Sequence, residues 1–262
     1  APLAFEDEGA LRRSLEGATT LYNTYWVRFA YGSMSHEVAV RNTRQLLRAA
    51  ESAGIERIVH ISITNPTLDS PLPYFRGKAE LEESIRSSAL SHAILRPAVL
   101  FGQGDILINN IAWMLRNFPV FAVPGMGEYR VQPIFVEDLA ELAVQAGSTQ
   151  ANVTMDAVGP ETYTYDALVR LIRQAIGSRS RITYQPQRLI RLASRILGLL
   201  VDDVVLTKDE IKGLTADLLV SRETPTGHTS LRSWIEGNAR NLGTTYASEL
   251  GRHYRQAAAG NQ

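Results

Sequence analysis

Residues Ser62–Lys78 read SITNPTLDSPLPYFRGK, and the reading of this stretch decides the fold. A hydroxyl stands at the end of an apolar run, a proline-rich turn follows, and Tyr74 precedes Lys78 by four residues. On a helix that step puts two side chains on one face, about one turn apart. An ammonium beside a phenol favours the phenolate, so the pair can serve as an acid/base device. The competing reading is two surface neighbours with no joint role. The chain has 10 Tyr and carries lysine only at Lys78, Lys208 and Lys212. Chance then places about 0.1 such pairs in a chain of this composition, so the surroundings have to decide.

Those surroundings alternate. Pro2–Phe5 reads as a short strand and Glu8–Leu15 as a helix ended by Gly17. Thr19–Phe29 (TTLYNTYWVRF) is β-branched and aromatic, a strand running into a loop. Ser33 or Ser35 caps a helix through about Ala53, with Gly54 as its stop. Ile55–Ile63 (IERIVHISI) is a strand, Tyr74–Ser87 a helix, and Ala93–Phe101 (AILRPAVLF) a strand closed by Gly102 and Gly104. A helix over Asp105–Phe118, an irregular Pro119–Gly127, a strand-like Val131–Val136, a helix over Glu137–Ala146 and a last strand over Val153–Val158 follow. The remainder reads as helical, over Tyr165–Ile176, Leu189–Leu200, Lys208–Val220 and Ser230–Asn241, with a frayed tail from Arg255. Thr207 and Glu210 form a capping box for the third of these helices. Strands alternating with helices of this length predict a parallel sheet with crossover helices. Ligands of such sheets sit at the carboxyl ends of the strands, where Ser62 and Thr64 fall.

Composition narrows the function classes. With 45% hydrophobic and 21% charged residues and a formal net charge of +0, nothing draws the chain to nucleic acid or an anionic surface by bulk attraction. The absence of Cys removes disulfides, thiolate nucleophiles and zinc–thiolate sites, which fits a cytoplasmic protein. No apolar run approaches the ~18 residues of a membrane span.

The ordered motifs resemble the extended and atypical branch of the short-chain dehydrogenase/reductase superfamily. They are Tyr22-Asn23-Thr24-Tyr25, Asn42, His60-Ile61-Ser62, Tyr74 with Lys78, Arg96-Pro97-Ala98 with Phe101-Gly102, and Phe135-Val136-Glu137-Asp138. That branch includes NAD(P)-binding epimerase-like proteins, the NmrA-like group and the nucleotide-binding accessory subunit of respiratory complex I. The resemblance covers about Pro2–Gly159 and implies roles for individual residues. Tyr74 would exchange a proton with a substrate oxygen, and Lys78 would hold the nicotinamide ribose. Ser62, ahead of Thr64, would hydrogen-bond the carbonyl oxygen. Asn23, Thr24 and Tyr25 would line the adenine side, Pro97, Ala98 and Val99 would pass the nicotinamide, and Asn42 would anchor the site or simply tie helix to loop.

One departure matters. The family's glycine-rich G-x-x-G-x-x-G turn, whose amides hold the pyrophosphate, has no counterpart here; Gly102-Gln-Gly104 and Gly125-Met-Gly127 read as turns. The resemblance therefore implies an N-terminal truncation that removes the first two strands, and weak binding of NAD or NADP by the chain as it stands.

The five His lack metal spacing, Ser62 lacks a G-x-S-x-G context, and Glu137-Asp138 point apart on a helix. Arg96 could orient a substrate or pair with a carboxylate. Arg188–Val201 (RLIRLASRILGLLV) is basic and amphipathic, suited to a membrane or partner, although packing within its own lobe is the commoner use of such a helix.

The expectation is an α/β Rossmann-like parallel sheet, N-terminally truncated, over residues 1–159. A small helical substrate lobe would occupy residues 160–262, with 103–130 contributing to it. The expected function is an NAD(P)-dependent oxidoreductase or epimerase acting on a small molecule, with no metal, no membrane span, no nucleic acid and a homodimer as the partner state. A non-catalytic NAD(P)-binding sensor or scaffold is the alternative.

Overall fold

The computed structural model describes residues 3–255. The tail expected to fray from Arg255 lies, after Arg255 itself, outside the described residues, as does the start of the expected Pro2–Phe5 strand. Leu3–Phe5 form no strand; Phe5 N–H turns back to the Leu3 carbonyl and Asp7 N–H to that of Ala4.

In chain order, the elements begin with helix α1 (Glu8–Leu15), strand β1 (Thr20–Asn23), α2 (His36–Ala53), β2 (Arg57–Ile61), α3 (Pro73–Arg86) and β3 (Ser91–Pro97). They continue with β4 (Val99–Phe101), α4 (Leu107–Asn117), β5 (Val120–Pro124), β6 (Arg130–Val131), β7 (Pro133–Phe135), α5 (Val136–Gly147) and β8 (Val153–Ala157). The last stretch holds β9 (Tyr163–Thr164), α6 (Tyr165–Ala175), β10 (Arg181–Gln185), α7 (Gln187–Val201), α8 (Lys208–Thr215), α9 (Leu231–Asn238) and a π-helical turn at Gly251–Arg255.

Two units emerge. One comprises the described residues up to Ala98, with Glu137–Ala157 and Glu223–Thr226; the other comprises Val99–Val136, Val158–Arg222 and the described residues from Gly227. The first unit holds a four-stranded parallel sheet in the order β1-β2-β3-β8, the Rossmann-like arrangement that the alternation predicts. Burial of four of the five β2 residues marks β2 as a central strand covered on both faces. Leu47, Ala50, Ile55, Ile58, Ile85, Leu90 and Ile94 form one core of this unit, and Leu11 packs α1 onto Leu46 and Ala49 of α2.

The second unit centres on one cluster that includes Phe101, Ile108, Ile111, Leu115, Phe121, Val131, Leu168, Ile172 and Ile235. It carries three two-stranded ladders, β10–β5 and β4–β7 parallel and β6–β9 antiparallel. Among the described residues no helix is long and apolar enough to cross a membrane.

Local chemistry explains the boundaries. Ser35 Oγ accepts from Val38 N–H at 3.2 Å and starts α2, while Gly54, at φ 83°, ends it in a left-handed cap. Pro73 opens α3, where its missing N–H costs nothing. The long Thr19–Phe29 strand is cut to β1 because Asn23 Oδ1 accepts Tyr25 N–H at 3.1 Å, which turns the chain out of the ladder. Ala93–Phe101 is two strands, divided at Ala98 between the units. The irregular Pro119–Gly127 contains β5, because β10 supplies a ladder partner far along the chain. The helix from Lys208 ends at Thr215, short of Val220; beyond it Asp217 adopts φ 57° and accepts Arg130 N–H at 2.6 Å.

Among the described residues Arg57 is the largest fully buried side chain, 1% exposed, and acts as a clamp inside the first unit. Its guanidinium donates to the Ala146 carbonyl at 2.7 Å, Ala151 carbonyl at 3.0 Å, Ser91 Oγ at 3.2 Å and Thr149 Oγ1 at 3.3 Å. It ties β2 to the segment joining α5 and β8. Arg57→Met should lower the unfolding free energy by about 3 kcal/mol, since it strands buried carbonyls without a donor. Urea denaturation reads the loss, and Arg57→Lys should recover only part of it, because an ammonium lacks the planar fork.

Candidate functional site

Most of the sequence-derived site residues gather at the carboxyl ends of β1 and β2 and along the first two turns of α3. Beyond β2 the backbone stays extended: Ser62 N–H donates to the Leu95 carbonyl at 2.7 Å and Thr64 N–H to that of Pro97 at 3.0 Å. Both residues are buried at the strand end, as are Pro97 and Ala98. Val99 falls in the other unit, where it pairs with Pro133.

Tyr74 and Lys78 meet on Trp26, a residue that no motif in the sequence marks. Lys78 Nζ lies 4.5 Å from the centre of the Trp26 ring, a cation–π distance. The Tyr74 ring meets Trp26 edge-on at 5.6 Å and His36 at 5.7 Å, and His36 stacks on Trp26 at 5.8 Å. Gly77 makes this possible, because a Cβ there would come within 2.9 Å of Trp26 Cη2. Trp26 lay in the loop half of an apparent strand, and no local pattern marks a loop tryptophan as the partner of a helix 48 residues on.

Lys78 is 3% exposed and donates to the Ile61 carbonyl at 2.7 Å. Burial pulls its ammonium down from 10.5 to about 7, and the Glu82 charge restores only part of the difference. Ser62 serves Glu82 as well: its Oγ donates to Oε1 at 2.6 Å. Glu82 further accepts Arg96 through Nε at 2.8 Å and Nη2 at 2.5 Å, and Arg86 Nη2 at 2.8 Å. Burial alone would raise Glu82, but the bonds from Arg96 and Ser62 outweigh it and hold the carboxyl below its ordinary range. Arg96 thus pairs with a carboxylate, and the one hydroxyl proton of Ser62 is directed at that same carboxylate.

On the β1 side, Tyr25 N–H fixes Asn23 Oδ1 as acceptor, so Asn23 Nδ2 faces His60 Nδ1 at 2.9 Å and donates to it. His60 is then the neutral tautomer protonated on Nε2, in agreement with a pKa driven well below 6.5 by burial and by Lys78. Asn42 Nδ2 donates to Tyr25 Oη at 3.0 Å, a helix-to-loop tie. Thr24 is exposed beside them.

As the side chains stand, Nζ gives one of its three protons to the Ile61 carbonyl and lies 4.5 Å from the centre of the Trp26 ring, so a nicotinamide ribose would have to displace Trp26 to reach Lys78. The described residues also contain no cluster of three His, Cys, Asp or Glu able to hold a metal ion.

The buried Lys78 has a thermodynamic signature. Below pH 7 both folded and unfolded chains carry its proton, and folding bears the full cost of burying the charge. Between about 7 and 10.5 the unfolded chain binds more protons than the folded one, so stability rises with pH. The stability of the wild type relative to Lys78→Met should therefore rise across that window, by up to roughly 4 kcal/mol. Trp26→Ala, which opens Nζ to water, should flatten the rise. Denaturation midpoints measured across the window check both.

No protein-family model matches this chain. It is 26% identical over 239 residues to the mitochondrial NADH dehydrogenase [ubiquinone] 1 alpha subcomplex subunit 9 of Arabidopsis thaliana, covering 84% of this chain and 58% of that protein. The 40 kDa subunit of mitochondrial NADH-ubiquinone oxidoreductase from Neurospora crassa is 24% identical, with 83% and 58% covered. The photosystem II assembly factor Ycf39 of Cyanidium caldarium is 22% identical, with 70% and 58% covered. The chain thus spans 58% of the length of each of these relatives. Among solved structures, an Escherichia coli NADPH-dependent quinone oxidoreductase with bound NADPH superposes with a TM-score of 0.71 at 19% identity, covering 89% and 81% of the two chains. A Staphylococcus aureus nucleoside-diphosphate-sugar epimerase gives 0.68 at 15% identity, covering 88% and 81%.

The cytoplasmic expectation is overturned by these relatives, of which the Arabidopsis and Neurospora proteins are mitochondrial. A lack of cysteine reports on disulfides and says nothing about which reducing compartment holds a protein. The motif order, the parallel sheet and these similarities are together consistent with the extended and atypical short-chain dehydrogenase/reductase superfamily, which the chain resembles in fold.

Proposed function

We propose that this chain is the nucleotide-fold portion of an accessory or assembly protein for a larger redox complex, with its Tyr74/Lys78 pair used to build the fold. The observation that carries this reading is the double commitment of the pair's surroundings. Trp26 covers Lys78 Nζ, and the Ser62 hydroxyl proton is taken by buried Glu82. A reductase needs both groups facing a substrate: a cation beside the phenol and a free hydroxyl beside the carbonyl oxygen. The matched subunits of NADH dehydrogenase and the photosystem II assembly factor support the same reading. They extend it to protein partners in place of a homodimer alone.

The oxidoreductase or epimerase reading keeps one support of its own. Tyr74 and Lys78 stand in family order on one helix, and the superposed reductases and epimerases share the fold. In that reading Trp26 swings aside, NAD or NADP occupies the strand ends, and Tyr74 passes a proton to a carbonyl oxygen held by Thr64 or Ser62.

Purified full-length protein separates the two. The accessory reading expects no NADPH consumption across a panel of aldehydes, ketones and quinones. It also expects Tyr74→Phe to leave both nucleotide affinity and co-purification with the partner complex unchanged. Steady turnover that drops by about 100-fold or more in Tyr74→Phe would instead establish a reductase.

A further inference from the structure

Helix α7 presents two faces that differ in a telling way. Ile190 is buried toward its own unit, where the helix packs near β5. The opposite side carries Leu189, Leu192, Ile196, Leu199 and Leu200, each more than half exposed, with Leu199 at 86% and Leu200 at 74%. Steps of three and four residues align these five side chains in one stripe. A contiguous exposed apolar stripe of this kind marks a contact surface, since scattered single leucines are the ordinary state of a protein exterior.

The edge of the stripe is cationic. Arg188, Arg191 and Arg195 follow one another along α7, which carries no carboxylate. Arg188 and Arg191 share a cleft with Lys208 and Lys212 of α8. None of these five cations forms an ion pair among the described residues. The chain as a whole has a formal net charge of +0, so this concentration of positive charge beside the exposed leucines is local. A second copy meeting the same face through a twofold axis would set cations against cations. An anionic surface with an apolar interior satisfies both halves of the face at once.

We propose that α7 is an interfacial helix that lays its Leu189–Leu200 stripe into the headgroup region of an anionic lipid bilayer, with Arg188, Arg191, Arg195, Lys208 and Lys212 on the phosphates. At 15 residues the helix lies in the plane of the membrane and does not span it. The inference is independent of whether Tyr74 and Lys78 act on a substrate.

Vesicle flotation of the purified chain tests it. Binding is expected to phosphatidylcholine vesicles that contain phosphatidylglycerol, weakening as salt is raised, with little binding to phosphatidylcholine alone. Leu192→Glu with Leu199→Glu, and separately Arg188→Glu with Arg191→Glu, should each reduce the bound fraction at least about tenfold. These positions are exposed or half-buried, and thermal melts confirm that the variants fold. If the glutamates unfold the chain, Leu199→Ala with Leu200→Ala replaces them and should lower binding in the same direction. Absence of binding to both vesicle types, or equal binding by wild type and folded variants, overturns the proposal. So does a solution dimer that the leucine variants convert to monomer, because a second copy then covers the stripe. Retention of the wild type by a soluble acidic protein, without any vesicle binding, would overturn it in favour of a protein partner.

Discussion

Glu82 is a carboxylate removed from water, 1% exposed, and everything near the candidate site depends on keeping it charged there. Isolated, it would protonate or pull the helix apart; surrounded by Arg96, Arg86 and the Ser62 hydroxyl it is stable as an anion. The same bonds fasten α3 to the end of β2 and to β3. They set the rotation of α3, and that rotation turns Lys78, one helical turn earlier, under Trp26 and onto the Ile61 carbonyl. A buried ion pair of this kind specifies geometry more surely than it adds stability.

The consequence for function lies in how donors are allotted. Ser62 has one hydroxyl proton and gives it to Glu82. Lys78 has its head group enclosed, and burial makes its charge marginal near neutrality. Ser62 and Lys78, which in a reductase would face a substrate, here bond to the Glu82 carboxylate and the Ile61 carbonyl. A shared fold and catalytic competence are separate properties, and a fold that hosts reductases and epimerases can equally serve as a scaffold.

The second unit shows a different balance. Its core is closed by aromatic and aliphatic side chains from α4, α6 and α9, whereas α7 leaves its second apolar face uncovered. In the sequence RLIRLASRILGLLV, both faces carry leucines and isoleucines, so amphipathicity alone cannot tell which of them the chain itself covers.

Much of the architecture was legible in one dimension. Gly54, Thr207 and Glu210, and Ser35 of the pair Ser33 and Ser35, mark helix ends through bonds that form within a few residues, and local chemistry of that range survives in any fold. The alternation around Ser62–Lys78 likewise determined a parallel sheet, because crossover helices leave few other solutions. Tertiary structure alone decided the rest. The ladder of β5 with β10 joins segments about 60 residues apart, and β1 stops where the Asn23 side chain captures Tyr25 N–H. Trp26 reaches Lys78 only because α3 carries Gly77 on the facing side, and Ser62 meets Glu82 only once α3 docks on the sheet. Spacing could place Tyr74 and Lys78 on one face. What that face touches depends on contacts between distant segments, and those exist only after the chain has folded.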